Sequence, residues 1–117
     1  MQAADGILIG SPTYFGNIAG KLKCLLDRAF LVSKLNGGLM AHKVGAPVIA
    51  VRRQGATGVY HMISNYFAIN SMFIVGSSYW NMAMGRDPGD ISKDEEGLQT
   101  LKDLGQNVAW LLKMITK

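Results

Sequence analysis

Three short apolar runs divide the chain, and each is followed by a stretch in which apolar residues recur every three or four positions. The runs are Ile7–Ile9, Val48–Val51 and Met72–Val75. Compact apolar runs are typical of strands buried on both faces of a parallel sheet, and the longer spacing is typical of one face of a helix. The pattern therefore predicts the order β-α-β-α-β-α, with right-handed crossovers and a parallel sheet covered by helices.

Capping residues predict where the helices begin. Asn17 is the expected N-cap of a first helix over residues 18–33. Thr57 is the expected N-cap of the second helix, and Ser92–Glu95 has the pattern of a capping box before the third. Pro47 would remove a hydrogen bond from a central strand, so the second strand is expected to begin at or after Pro47.

The loops that follow the first two runs carry the candidate chemistry. They are Ser11-Pro12-Thr13-Tyr14-Phe15-Gly16-Asn17 and Arg52-Arg53-Gln54-Gly55-Ala56-Thr57-Gly58. Both lie at carboxyl ends of strands, which is where ligands bind to open α/β sheets. Two aromatic residues in a loop are also typical of a lid over the edge of a core, so composition alone leaves both interpretations open. A third long loop, Tyr79–Asp90, is rich in aromatic residues and methionine, and such loops tend to be functional or mobile.

Composition and charge narrow the class of protein. The chain has 117 residues, of which 49% are apolar and 17% charged, and this favours one globular domain over residues 1–117. No apolar run approaches the roughly 20 residues that cross a bilayer, and the first residues lack a signal sequence, so we expect a cytoplasmic protein without a membrane partner. The net charge of +4 comes from dispersed residues, which favours solvated faces and a local anion site over nucleic-acid binding.

The chain has one cysteine, Cys24, and this limits its redox and metal chemistry. One cysteine excludes an internal disulfide and leaves no cluster that could hold zinc or an iron–sulfur centre. Cys24 is expected to be a half-buried small residue at a packing or subunit boundary, because a redox thiol would need a lowered pKa and a resolving partner. His61 lies beside an ordinary apolar helix face and carries no strong functional signal.

The amino-acid sequence of the first loop is more specific than its composition. The segment D-G-I-L-I-G-S-P-T-Y-F-G-N…L-K…D-R, which ends at Arg28, closely resembles a segment of the flavodoxin-like flavin reductases. That family includes multimeric flavodoxins, NAD(P)H-dependent FMN reductases or quinone oxidoreductases, and iron–sulfur flavoproteins. The resemblance continues through R-R-Q-G-A-T-G at 52–58 and G-R-D-P-G-D at 85–90. It implies a flavodoxin-like α/β fold with helices on both faces of the sheet, from which the family's first two strands and phosphate-binding loop are missing.

The resemblance also implies a cofactor and a site. In this family the loop corresponding to Ser11–Asn17 wraps the isoalloxazine ring of FMN. The expected ring contacts are therefore Ser11, Pro12, Thr13, Tyr14, Phe15, Gly16 and Asn17, together with Arg53, Gln54 and Gly55. Backbone N–H groups from Thr13 to Asn17 would bind the polar edge of the ring, and Tyr14 or Phe15 would cover one face. Arg53 would stabilise the reduced, anionic flavin. Electrons would pass from NAD(P)H to a quinone, a second flavin or another small acceptor, without a catalytic nucleophile or a metal.

Two hypotheses from different classes remain at this point. The first is an FMN-dependent oxidoreductase, and the second is a flavin-free binding or assembly module that keeps the fold without its phosphate site. Nothing in the residues favours the iron–sulfur branch of the family. The exposed sheet edge near Ile7 predicts either a homo-oligomer, a dimer or tetramer, or a companion chain that supplies the missing half.

Overall fold

The computed structural model describes residues 1–116, which form one parallel sheet with helices on both of its faces. The strands are β1 (Gly6–Pro12), β2 (Val44–Val51), β3 (Phe73–Ile74) and β4 (Met82–Met84). The helices are α1 (Gly20–Leu35), α2 (Ala56–Ile69) and α3 (Glu95–Ile115), and a 3₁₀ turn spans Asp90–Lys93. None of the helices within residues 1–116 is both long and apolar enough to cross a bilayer.

Strand β2 is the centre of the sheet. It pairs in parallel with the whole length of β1, from Gly6↔Val44 to Pro12↔Ala50. On its other edge it pairs first with β3 and then with β4, so these two short strands lie end to end. The alternating pattern that predicted a parallel α/β sheet is therefore confirmed, with the third strand in two pieces.

Pro47 lies opposite the interruption of the third strand. The prediction that β2 begins at or after Pro47 is wrong, because the strand runs from Val44 and includes it. The carbonyls of Gly45 and Val51 and the N–H of Ile49 all point to the β3–β4 edge, so the odd-numbered residues of β2 face that side. Pro47 has no N–H to donate there, and it lies at the gap between β3 and β4.

The sheet separates two hydrophobic cores. Helices α1 and α2 cover one face, where the buried residues are Ile7, Ile9, Ile18, Leu26, Phe30, Ile49, Val51, Val59, Ile63 and Phe67. Helix α3 covers the other face, where Val44, Ala46, Val75 and Leu104 are buried. Gly45 lies directly beneath Phe67, because a Cβ at Gly45 would be 2.8 Å from the Phe67 ring.

The first strand is buried on one face only, which corrects the prediction for Ile7–Ile9. Ile7 and Ile9 are buried against α1 and α2, whereas Leu8 is 58% exposed. Helix α3 lies over β2 and β4, and its Leu112 approaches Gly6 of β1. A local apolar run cannot show which neighbouring element covers its second face.

The third strand is likewise an edge element rather than a buried one. Phe73 and Ile74 are 46% and 39% exposed, whereas the flanking residues Met72 and Val75 are buried. The long loop predicted at Tyr79–Asp90 contains β4, which was not expected from the sequence. Cys24 is exposed, which corrects the expectation that it is half-buried.

The predicted N-caps were wrong for all three helices. Ala19, Gly55 and Asp94 occupy the N-cap positions in place of Asn17, Thr57 and Ser92. Asp94 accepts a hydrogen bond from the N–H of Gly97 through Oδ1 and another from the N–H of Met84 through Oδ2. This one carboxylate therefore caps α3 and joins it to β4, which a sequence pattern confined to one helix does not reveal.

Candidate functional site

The first loop is anchored at the carboxyl end of the sheet. The N–H of Thr13 donates to the carbonyl of Ala50 over 2.9 Å, and the Thr13 hydroxyl donates to the same oxygen over 3.1 Å. Thr13 is therefore fixed to β2 immediately before the Arg52–Gly58 loop begins. The proline that precedes it is the last residue of β1, where a missing N–H costs no ladder bond.

A buried serine joins the two ends of this loop. Ser11 is 4% exposed, and its Oγ accepts a hydrogen bond from the N–H of Ala19 over 3.1 Å. The same hydroxyl donates to the carbonyl of Pro12 over 2.8 Å. Ser11 thus satisfies one of the free N–H groups at the start of α1. Ser11, which lies eight residues before Ala19, thus supplies a side-chain acceptor at the start of α1, where Asn17 was expected to do so.

Residues Tyr14–Asn17 form a tight turn, called the Phe15 turn below. The N–H of Tyr14 donates to the carbonyl of Asn17 (3.0 Å), and the N–H of Asn17 donates to the carbonyl of Tyr14 (2.9 Å). Phe15 and Gly16 between them have φ values of 52° and 71°. Positive φ at both central positions is the geometry of a type I′ turn. Phe15 is fully exposed at its tip, and a bulky residue with positive φ is strained backbone of the kind found at ligand sites.

Two glycines of the second loop allow it to touch the Phe15 turn. Gly55 has φ 91°, and a Cβ there would lie 3.0 Å from the Cα of Gly16 and 3.2 Å from the methyl group of Thr13. Gly58, in the first turn of α2, would place a Cβ 2.8 Å from the carbonyl oxygen of Gly16. A side chain at either position would force the neighbouring backbone to shift, so the two loops lie in direct contact.

The two loops enclose a groove, called the Arg52 groove below. Its volume is about 410 Å³, and it is lined by Thr13, Val51, Arg52, Arg53 and Gln54. The side chains of Arg52, Arg53 and Gln54 are exposed to solvent. The structure therefore brings the predicted site residues of the first loop next to Arg53, Gln54 and Gly55 of the second. The groove places Thr13 of the first loop beside the positively charged side chains of Arg52 and Arg53.

The chemistry of this region suits a flat ring with a polar edge. The N–H groups of Thr13, Tyr14 and Asn17 already donate within the chain. Those of Phe15 and Gly16 have no acceptor among residues 1–116, so only these two donors of the turn are free for a ligand. Tyr14 is 59% exposed and Phe15 fully so, and both can lie against a ring face. The predicted donor set from Thr13 to Asn17 is thus narrowed to its two central residues.

A polar cluster outside the Arg52 groove was not predicted from the sequence. Lys23 Nζ lies 2.9 Å from both carboxylate oxygens of Asp27 and 3.2 Å from the hydroxyl of Tyr66, which also donates to Asp27. The Tyr66 hydroxyl and the Lys23 ammonium hold the pKa of the Asp27 carboxyl below its usual range, and burial raises the pKa of Tyr66. The i,i+4 spacing of Lys23 and Asp27 was a readable signal, whereas the contact with α2 was not.

The exposed aromatic pair of the third loop was visible in the sequence. Tyr79 and Trp80 have ring centroids 4.8 Å apart in an edge-to-face arrangement. Asn81 beside them is fully buried, and its Nδ2 donates to the carbonyl of Val75 over 3.4 Å. No group of three or more His, Cys, Asp or Glu side chains in the described part of the chain could hold a metal ion.

Comparison with solved structures defines the class of fold. The chain superimposes on the structure of a Trp repressor binding protein from Bacillus subtilis with a TM-score of 0.73, covering 88% of this chain and 64% of that one, at 18% identity. It also superimposes on the structure of a flavodoxin from the domain Archaea with a TM-score of 0.70, covering 96% of this chain and 68% of that one, at 19% identity. The fold is therefore flavodoxin-like, as the resemblance implied.

Comparison of sequences defines the family. The family model described as NADPH-dependent FMN reductase matches residues 1–87, and the chain belongs to that family. An iron–sulfur flavoprotein of Methanocaldococcus jannaschii is 39% identical over all of this chain, which spans 63% of that protein's length. The iron–sulfur flavoprotein of Methanosarcina thermophila is 32% identical, again over all of this chain and over 61% of its own length.

These relatives revise one expectation about the branch of the family. Nothing in the residues favoured the iron–sulfur branch, yet the relatives carry that name. The sequence of this chain contains only Cys24, and that residue lies exposed on α1.

Proposed function

We propose that this chain provides the ring-binding part of an FMN-dependent oxidoreductase that takes electrons from NAD(P)H and passes them to a quinone, a flavin or another small acceptor. The observation that carries the proposal is the glycine-dependent contact between the Phe15 turn and the second loop. This contact places the Phe15 turn against the second loop at the carboxyl ends of adjacent strands, which is the ligand-binding edge of an open α/β sheet. Membership of the FMN reductase family supports the choice of ligand.

Each group of the site has a defined task in this proposal. The N–H groups of Phe15 and Gly16 donate to the polar edge of the ring, and Tyr14 or Phe15 shields one ring face from water. Arg53 holds a positive charge beside the ring, and this charge would favour the reduced, anionic form of the flavin. A bound flavin itself supplies the redox chemistry, so the task of the protein is to bind, orient and polarise it.

The aromatic contacts can be tested by a double substitution. Tyr14→Ala/Phe15→Ala should weaken FMN binding while leaving the circular dichroism spectrum unchanged, because both side chains are exposed and add little to the core. Leu31→Ala/Leu35→Ala is the matched control, because it removes two exposed apolar side chains from α1. FMN affinity measured by flavin fluorescence should fall in the first variant only. Equal affinity in both variants would refute the assignment.

A flavin-free binding module is the second candidate. It is favoured by the observation that three of the five N–H groups in the first loop are satisfied within the chain. A ligand-free role for the loop would then be purely structural, with Thr13 and the Phe15 turn joining β1 to β2. Failure of the full, folded chain to bind either FMN or riboflavin would favour this candidate over the first.

We also propose that the chain associates with a second copy or a companion chain through the free edge of β1. Asp5 and Thr13 both bond to β2, so the odd-numbered residues of this strand face β2 and the even-numbered ones face away from it. The free edge therefore presents the N–H and C=O groups of Gly6, Leu8 and Gly10. Sedimentation at micromolar concentration is expected to show a species heavier than 12.7 kDa. A single species of that mass would refute association.

A further inference from the structure

A groove at the amino end of the sheet lies apart from the site described above. It is called the His42 groove here, and its volume is about 260 Å³. Its lining includes Asp5, His42, Lys43, Phe73 and Ile115. The Arg52 groove lies at the carboxyl end of β2, which is eight residues long. A strand rises about 3.3 Å per residue, so roughly 25 Å separates the two grooves.

The starts of three strands meet at the His42 groove. Asp5 and Lys43 directly precede β1 and β2, and Phe73 is the first residue of β3. The carbonyl of Asp5 accepts from the N–H of Val44 over 3.0 Å, and the carbonyl of Lys43 accepts from the N–H of Phe73 over 2.9 Å. The sheet therefore fixes the backbone from which these three side chains reach the groove.

His42 and Phe73 form an aromatic wall of the groove. Their ring centroids are 6.1 Å apart and their planes are inclined by 24°, so the two rings are stacked. His42 has a φ of 64°, and its N–H donates to the carbonyl of Ser71, whose own φ is 58°. Left-handed backbone outside glycine is uncommon and recurs at ligand sites. Both rings are exposed, so a flat ring can extend the stack.

Two opposite charges lie beside the aromatic wall. The Lys43 ammonium donates to the carbonyls of Gln2 (2.9 Å) and Ala4 (2.5 Å), which leaves one of its three N–H groups for a ligand. Within residues 1–116, the Asp5 carboxylate takes part in neither an ion pair nor a hydrogen bond. The groove therefore offers one donor and one charged acceptor.

The lining defines the chemistry of a ligand. The stacked aromatic pair favours a flat aromatic ring. The Asp5 carboxylate requires a donor on that ring, and the Lys43 ammonium requires an acceptor. A ring nitrogen next to an amino group supplies both, and adenine and cytosine carry this pattern. The volume is below the roughly 300 Å³ of a drug-sized site, which suits a base with part of its sugar.

From these features we infer that the His42 groove binds an amino-substituted heteroaromatic ring of the nucleobase class. The ring lies against His42 and Phe73, its amino group donates to Asp5, and its ring nitrogen accepts from Lys43. The inference goes beyond the proposed function, because none of these residues lines the Arg52 groove. It concerns binding alone, and no bond is formed or broken.

Backbone amide signals in NMR spectra test where such a ring binds, and a chain of 12.7 kDa suits the method. Adenosine is the probe, because it carries an amino group beside a ring nitrogen. Its addition should shift the signals of His42, Lys43 and Phe73 with saturation and leave those of residues 52–58 unchanged. Shifts confined to residues 52–58, or shifts that do not saturate, would overturn the inference.

A second ligand tests the contact with Asp5. Purine riboside has the ring and sugar of adenosine without the amino group, so it should bind several-fold more weakly. Asp5→Ala should lower the affinity for adenosine to that for purine riboside, whose own affinity should stay the same. Asp87→Ala removes an exposed carboxylate beyond the other end of the sheet and should change neither affinity. Equal affinities for the two ligands in the parent chain would overturn the inference.

The two histidines of the chain provide a matched test of the aromatic wall. Asparagine tolerates a left-handed backbone, so His42→Asn should remove the ring and keep the fold. Adenosine affinity should fall several-fold while the circular dichroism spectrum stays the same. His61→Asn changes an exposed histidine on α2, outside the groove, and should keep the parent affinity. Unchanged affinity in the folded His42→Asn variant would also overturn the inference.

Discussion

Replacing Gly58 by alanine should destabilise the protein, whereas the same replacement at Gly105 should stabilise it. Both glycines lie within helices, Gly58 in α2 and Gly105 in α3. A Cβ at Gly58 would lie 2.8 Å from the carbonyl oxygen of Gly16, while a Cβ at Gly105 would meet nothing within 4 Å. The two substitutions therefore make the same chemical change and differ only in whether the Phe15 turn lies in the way.

The expected magnitudes follow from this geometry. Alanine is favoured over glycine in a helix interior by about 0.5–1 kcal/mol, and Gly105→Ala should gain that amount in free energy of unfolding. Gly58→Ala gains at most the same free energy of unfolding from its helix propensity. Its methyl group, however, forces α2 and the Phe15 turn apart, and such overpacking costs about 1–3 kcal/mol. The variants should differ by about 2 kcal/mol, which is a separation in Tm of about 8 °C for a chain of this size.

Thermal unfolding and flavin binding together test the reasoning. Gly58→Ala should have the lower Tm and a weaker affinity for FMN, because the Phe15 turn must move away from the second loop. Gly105→Ala should have a raised Tm and the affinity of the parent chain. If both variants were equally stabilised, the two loops would not be in contact, and the geometry behind the proposed site would be refuted.

Three further predictions concern other parts of the fold. Asp27→Asn should destabilise the chain at about pH 6 in urea unfolding, and its difference from the parent chain should shrink as the pH falls below 3.8. The pKa of Asp27 is held below 3.8 in the folded protein, so the ionised carboxylate stabilises the fold above pH 3.8. This stabilisation is lost as the pH falls through the lower folded-state pKa. A difference in free energy of unfolding that did not change with pH would contradict the prediction. Asp94→Ala should cost about 1–2 kcal/mol, because α3 loses its cap and β4 a hydrogen bond; an unchanged Tm would contradict both contacts. Phe15→Gly should raise the free energy of unfolding by up to about 1 kcal/mol by relieving a left-handed backbone, yet weaken FMN binding; lower stability would show that Phe15 is not strained.

Periodicity was a good guide to the elements whose partners lie nearby in the chain. The helical spacing of apolar residues after β2 predicts a buried face made of Val59, Met62, Ile63, Tyr66 and Phe67. In the structure Val59, Ile63 and Phe67 are fully buried, and Met62 and Tyr66 are partly buried. The order of strands and helices is confirmed for the same reason, since each crossover packs against the strands it connects. The loops at the carboxyl ends of β1 and β2 were also predicted from local turn chemistry, but they are shorter than expected, because Ser11 and Pro12 belong to β1 and residues 56–58 belong to α2.

Features that depend on distant residues could not be predicted. The exposure of Leu8 depends on where α3 crosses the sheet, and the cap from Ser11 reaches Ala19 across the whole first loop. The second strand was expected to begin at or after Pro47, but it begins at Val44, because the interruption of the third strand leaves no partner that needs an N–H donor at Pro47. The contact of Gly58 with Gly16 likewise joins two segments that share no local pattern.

The two edges of the sheet differ in a way that limits what the chain can build. The outer edge of β3 and β4 is broken into strands of two and three residues, which offer little to an incoming strand. The edge of β1 is seven residues long, uncharged and without a bulge. A copy that joins through β1 uses up its own continuous edge in doing so. Strand pairing through β1 therefore joins two copies and leaves the pair without a second edge of that length.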